Sequence, residues 1–176
     1  IPFPPKAIIE LQSGSHLQLS TSIHGNRIPR RPPCDIAQCI DIRGKTRENA
    51  ISAKALADIG ITETSWSAQV ATASLPGYIC MASGRMVGYC FGAAESGEIV
   101  VLALLPEHES KGIGKELLRL AMSKLHSLGH KRLFLGYNDD PNVRSYGFYR
   151  HLGWHPNGET DSHGDEVLEY IFNATS

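Results

Sequence analysis

An unbroken apolar run, Ile99-Val100-Val101-Leu102-Ala103-Leu104-Leu105, leads through a polar loop with two closely spaced glycines, Gly112 and Gly114, into a stretch of helical apolar spacing. Seven residues are too few to cross a bilayer, which needs about 20, so the run reads as a buried strand. Ile113, Leu117, Leu118, Leu120, Ala121, Leu125 and Leu128 build one apolar helix face, and Gly129 is placed to stop it. The first N–H groups of such a helix have no internal partners, and the macrodipole adds partial positive charge there. Glycines let phosphates approach the backbone directly, so the unit suits an anion, most naturally a pyrophosphate. Gly112-x-Gly114 alone is equally compatible with a tight turn feeding a surface helix.

Single positions exclude two other phosphate loops. A Walker A loop ending at Gly44-Lys45-Thr46 needs glycine at 39, where Cys39 stands. One ending at Gly114-Lys115 needs glycine at 109 and Ser or Thr at 116, where Glu109 and Glu116 stand. A dinucleotide GxGxxG fails at Leu117.

The length of 176 residues suits one domain with or without an appendage, and 41% apolar with 20% charged residues supports a real core. Seventeen Lys and Arg against eighteen Asp and Glu leave a net charge of −1, which disfavours nucleic-acid binding. No charged start followed by an apolar stretch marks a secretory signal, and the expectation is a soluble, cytoplasmic protein without a membrane partner. Cys34, Cys39, Cys80 and Cys90 form no CxxC pair and read as reduced buried thiols. His126 and His130 are split by Gly129, and His151 and His155 by Gly153. With no HExxH and no Cys/His quartet, no metal is expected.

Residues 1–33 read as a loosely attached, proline-rich arm, holding six of the ten prolines and ending in Arg27, Arg30 and Arg31. Ile9 and Leu11, then Leu17 and Leu19, alternate around Ser13-Gly14 as a short hairpin would. Residues 34–176 form the single main domain. Cys39 to Arg43 alternates like a first strand, and helices follow over 52–58 and 62–72, with Ser52 and Thr62 as N-caps and Gly60 between. Strands are expected over 77–83 and 85–92, and Glu98 opens the most apolar strand. After the glycine-loop helix come a strand at Leu133-Phe134-Leu135 and a helix from Asp140 (N-cap) and Pro141 to Gly153. Residues 159–161 and 167–172 suggest a closing hairpin. The result is a mixed α/β (α+β) sheet without internal repeats.

The later helix carries Asn142-Val143-Arg144-Ser145-Tyr146-Gly147-Phe148-Tyr149-Arg150-His151-Leu152-Gly153-Trp154. An apolar strand and glycine loop-helix, followed one helix and one strand later by N-x-x-small-x-x-F-Y-x-x-x-G-aromatic, resembles the GNAT superfamily of acyl-CoA-dependent N-acyltransferases. The resemblance covers roughly residues 38 to 172. It implies a mostly antiparallel sheet with a splayed central strand pair flanked by helices, and transfer of an acetyl group from acetyl-CoA to a primary amine.

The resemblance also implies roles. The backbone of Leu102, Ala103 and Leu104 would hold the pantetheine arm, with the Leu104 amide facing the developing oxyanion. Backbone amides of Glu109, Ser110, Lys111, Gly112, Ile113, Gly114 and Lys115 would hold the pyrophosphate. Asn142 would fix the pantetheine, Tyr149 would protonate the departing thiolate, and Glu98 would serve as general base. An alkylammonium near pKa 10.4 must lose a proton before it can attack, which is why a base is required. For Tyr149 the alternative is core packing, and for Glu98 a solvated strand-end carboxylate.

One position departs from the family. Glu109 stands where Arg or Gln is usual, and a carboxylate beside a pyrophosphate is unfavourable unless it points away or caps the helix, with Lys111 and Lys115 as offsets. The acceptor would be bordered by Arg47-Glu48-Asn49, Trp66, Tyr137-Asn138 and residues 161–166, where Asp161, Asp165 and Glu166 could draw an amine or simply be solvated. Partners are thus acetyl-CoA and an amine, with room for a homodimer. The rival readings are a catalytically silent acyl-CoA-binding module and, against the overall charge, an interaction factor acting through the arginine-bearing arm.

Overall fold

The computed structural model describes residues 6–11, 36–137 and 140–173. Cys34, residues 13–33 of the arm with the second half of its expected hairpin, and Asn138 lie outside them. Two antiparallel sheets make up the domain. The first has the order β1 (Lys6–Leu11), β2 (Gly77–Ala82), β3 (Arg85–Gly92), β4 (Ile99–Leu104). The second has the order β5 (Arg132–Tyr137), β7 (Glu166–Ile171), β6 (His155–Thr160). Among the described residues the sheets are joined by one parallel bridge, Glu98 to Phe134, beyond which β4 and β5 diverge. This is the splayed pair, and the architecture is the expected mixed α/β one.

Two cores sandwich the first sheet. On one face α4 (Ile113–Ser127) buries Ile113, Leu117, Leu118, Ala121 and Leu125 against Cys80, Val87, Cys90 and, from β5, Leu133 and Leu135. The helical spacing read from the sequence packs as far as Leu125, Leu128 is exposed at the C-cap, and Gly129 ends the run at φ 103°. On the other face α1 (Ile36–Arg43) and α3 (Glu63–Ala71) cover Ile79, Met86, Tyr89, Phe91 and Ala103. The Trp66 ring stands edge-on to Phe91 with centroids 5.5 Å apart. Helix α2 (Ala53–Asp58) and α3 start at Ser52 and Thr62, whose side chains accept from the N–H groups of Ala55 and Ser65. Cys39, Cys80 and Cys90 are buried and outside any disulfide.

Two expectations are corrected. The segment Cys39 to Arg43 is not a strand but the end of helix α1. Its buried residues Ile36, Cys39 and Ile42 recur every third position, one helical face, which packs on β3. A five-residue window satisfies both periods, and tertiary packing chooses. The second correction concerns α5, which spans Arg144–His151 rather than starting at Asp140. Asp140 instead closes a turn, its carboxylate accepting from the Asn142 N–H at 2.9 Å and its carbonyl from Val143 N–H at 3.1 Å.

Strand β4 also differs from a fully buried strand. Only Ile99 and Ala103 are buried, while Leu102 and Leu104 are partly open and Val100 is exposed. The register slips where Phe91 opposes Val101 but Gly92 opposes Ile99, so Val100 is the extra residue of a bulge. The divergence of β5 is what uncovers this apolar surface.

Candidate active site

A cavity of about 300 Å³ fills the gap between β4 and β5. Its walls come from β4, from the loop before α4, from β5, from α5, and from the α1–α2 loop with Arg43 at its start. The unpaired edge of β4 faces this gap, because β3 occupies the other edge and no described strand pairs with β4 beyond the Glu98 bridge. Free N–H and C=O groups on a strand edge form a ladder for any extended amide-bearing ligand.

Of the residues singled out in the sequence, Leu102, Leu104, Glu109, Ser110, Gly112, Gly114, Lys115 and Tyr149 line the cavity. Ser110 (φ 58°) and Gly112 (φ 77°) are both left-handed, the alternation that turns successive N–H groups into an anion-binding concavity. Ala103 is buried on the opposite face of β4, in the second core. Ile113, the first residue of α4, is buried in the first core, Lys111 Nζ donates to the Glu107 carbonyl at 2.6 Å, and the Asn142 side chain donates to Asp140 at 2.8 Å. None of these four side chains lines the cavity.

Tyr149 sits among Phe148, Tyr137 and Trp154, with ring centroids 5.1, 6.4 and 6.1 Å away. Burial of the phenol, reinforced by the nearby Cys90 thiol, raises its pKa well above the ordinary tyrosine range, and the Arg43 cation pulls the other way. The Tyr149 phenol is therefore protonated at neutral pH. Glu98 immediately precedes β4 and lies outside the cavity lining. Burial, and then Asp161, raise its pKa above the usual carboxylate value.

Glu109 does not cap α4. Its Oε2 accepts from Arg47 Nε at 2.9 Å and from Arg144 Nη1 at 2.8 Å, while Arg144 Nη2 donates to Ser110 Oγ at 3.2 Å. Two cations hold the carboxylate, so the loop beside the helix N-terminus is not a site of bare negative charge. Glu48 accepts the Arg144 backbone N–H with both carboxylate oxygens, each at 2.9 Å.

Two of the three acidic residues that could have drawn an amine are engaged elsewhere, and Asp165 stands outside the cavity lining. Glu166 pairs with Arg150 at 2.7 Å and accepts from the Tyr137 hydroxyl at 2.7 Å. Asp161 accepts the N–H groups of His163 and Asp165 at 2.8 and 3.0 Å in its own turn. Neither they nor Trp66 line the cavity, whereas Arg47, Glu48, Asn49 and Tyr137 do. Sequence reasoning missed Arg43, Arg144 and Ser145 as lining residues. Ser145 was visible only as the small position of the later motif, and its Oγ is buried without a hydrogen-bond partner.

Three solved structures share the fold. PaiA N-acetyltransferase of Thermoplasma acidophilum, in complex with coenzyme A, superposes with a TM-score of 0.66 at 19% identity, over 78% of this chain and 93% of that one. Escherichia coli ribosomal-protein-S18-alanine N-acetyltransferase gives 0.58 at 15% over 83% and 93%. Ard1 of Thermoplasma volcanium gives 0.59 at 17% over 82% and 95%. At such identities the likeness is one of fold. No curated protein sequence is matched. The Acetyltransferase (GNAT) profile matches residues 48–154, from the loop that lines the cavity to the tryptophan behind Tyr149, and on that match over more than half its length the chain belongs to the GNAT acetyltransferase family.

Proposed function

We propose that this protein transfers the acetyl group of acetyl-CoA to a primary amine by direct attack in a ternary complex. The observation that carries the reading is one cavity that joins an unpaired strand edge, a left-handed glycine loop at a helix start and a protonated phenol. The pantetheine amides of the substrate pair with the free edge at Leu102, Ala103 and Leu104. The N–H groups from Glu109 to Lys115 take the pyrophosphate, and Lys115 adds a cation at the cavity wall. Ser145 Oγ, buried and unpartnered, faces a ligand that brings its own acceptor. Asn142 steadies the pantetheine once its side chain leaves Asp140.

The chemistry needs no covalent enzyme intermediate. The neutral amine nitrogen forms a bond to the thioester carbonyl carbon, the carbonyl oxygen takes up charge beside the Leu104 amide, and the C–S bond breaks. Tyr149 gives its proton to the leaving thiolate. The proton lost by the amine passes to Glu98, which lies outside the cavity wall and so acts through water. Raised basicity suits Glu98 to that task. Residues 34–176 constitute the transferase domain, and residues 1–33 are an arm whose strand β1 lies along β2.

The reading is tested by mixing acetyl-CoA with an amine panel and following thiol release. Turnover that Tyr149→Phe lowers about 10-fold or more supports the enzyme. Coenzyme binding without turnover of any amine supports the silent module instead.

A further inference from the structure

Of the three arginines that line the cavity, two are paired with a carboxylate and one is not. Glu109 holds Arg47 and Arg144, and Glu48 holds the Arg144 N–H. Arg43, half-buried at the end of α1, has no carboxylate within ion-pair distance among the described residues. Its Nη1 donates to the Asn49 carbonyl and, at 3.5 Å, to Thr46 Oγ1, while Nε and Nη2 have no acceptor among the described residues. The ionisable groups around it are the phenols of Tyr89 and Tyr149, both kept neutral by burial. A guanidinium stays charged under these conditions, and a partly desolvated cation without a countercharge is unfavourable. The loop nevertheless holds it there. Asn49 adopts a left-handed φ of 55°, which asparagine takes up readily, in the turn that presents its carbonyl to Arg43.

Arg43 lines the same cavity as Tyr149, on whose phenol its charge acts, whereas Arg47 and Arg144 are tied to Glu109 in the loop before α4. We propose that the acceptor is a small molecule bearing a carboxylate next to its reacting amine, and that Arg43 binds that carboxylate. The inference rests on the acetyl-transfer reading above and names the substrate class of the same site. A planar guanidinium fork matches a carboxylate with two parallel N–H···O bonds. One unpaired cation balances one carboxylate charge, where a phosphate dianion would need more donors. The cavity of about 300 Å³ is shared with the coenzyme, so the part of the acceptor that enters it beside Tyr149 is compact. Asp161, Asp165 and Glu166 stand outside the cavity wall, and Glu48 and Glu109 within it are taken up by Arg144 and Arg47, which leaves Arg43 as the free guanidinium to recognise the acceptor. The transfer step is unchanged: an N–C bond forms, the C–S bond breaks, and the carboxylate stays intact.

The test uses the full chain. Calorimetry with CoA is run beside initial rates of thiol release from acetyl-CoA with the twenty α-amino acids. For each amino acid, its amide and the amine lacking the carboxylate are run alongside. At least one amino acid is expected to be used with a kcat/KM about 30-fold or more above its amide. Arg43→Gln brings that ratio to within about threefold of unity, chiefly by raising KM for the acid, and Arg43→Lys retains part of it. Calorimetry with CoA checks that the variants are folded, and the wild-type ratio alone decides the matter if they are not. Equal use of acid and amide, use only of amines without a carboxylate, or CoA binding with no amino acid turned over overturns this proposal and leaves CoA binding intact. Absence of CoA binding overturns the acetyl-transfer reading beneath it as well.

Discussion

Glu48 caps helix α5 from 96 residues away, its two carboxylate oxygens each 2.9 Å from the backbone nitrogen of Arg144. An anion at a helix N-terminus satisfies an orphan donor and complements the macrodipole. The contact ties the α1–α2 loop to the helix that carries Tyr149. Glu48→Ala is expected to cost about 1–2 kcal/mol, read as a fall in Tm of a few degrees, and to lower kcat because α5 loses its anchor. Glu48→Gln keeps an acceptor oxygen and is expected to lose less on both measures.

The pairing of Glu109 with Arg47 and Arg144 changes what its neutralisation should do. Glu109→Gln removes one negative charge beside the proposed pyrophosphate site and leaves both arginines with a neutral acceptor. CoA is expected to bind about 3- to 10-fold tighter by titration calorimetry at low salt, with the gain shrinking as ionic strength rises. Unchanged or weaker binding at low salt would mean that holding the arginines in place outweighs the removed charge.

Tyr149→Phe keeps the aromatic packing against Phe148, Tyr137 and Trp154 and deletes the proton. A kcat loss of about 10-fold or more with unchanged CoA affinity is expected. A variant as fast as the wild type assigns the residue to packing alone.

Glu98 offers a signed pH test. Its raised pKa means that burial disfavours the ionised form in the folded state. The destabilisation is therefore absent below the ordinary carboxylate pKa near 4.5 and complete above the raised folded value. Glu98→Gln is expected to raise Tm at pH 7 and leave it unchanged at pH 4, measured by thermal melts at both. If Glu98 is also the base, kcat/KM falls as pH drops through that raised value, and the variant loses this acidic limb.

Removing residues 1–33 uncovers the outer edge of β2, along which Lys6–Leu11 pairs from Ala82 to Gly77. An open strand edge invites pairing with another chain. Larger species in size-exclusion chromatography and a lower Tm are expected. A truncated chain that stays monodisperse with an unchanged Tm would show that the pairing contributes little.

The α4 unit, the caps at Ser52 and Thr62 and the later asparagine-to-tryptophan motif were legible in the sequence because each is written locally, in apolar period, cap chemistry and residue spacing. They were enough to point to the family. The tertiary structure alone decided that residues 39–43 are helical, since a five-residue stretch satisfies both periods until β3 supplies a face to bury against. It alone decided where α5 begins, because the cap comes from Glu48 and not from a neighbour in the chain. The same holds for the charges of the site. Glu109 meets Arg47 across 62 residues, and Arg43 stands unpaired because no carboxylate of the described fold reaches it. Local spacing encodes the elements, but a countercharge is a matter of distance in space, which only the folded chain sets.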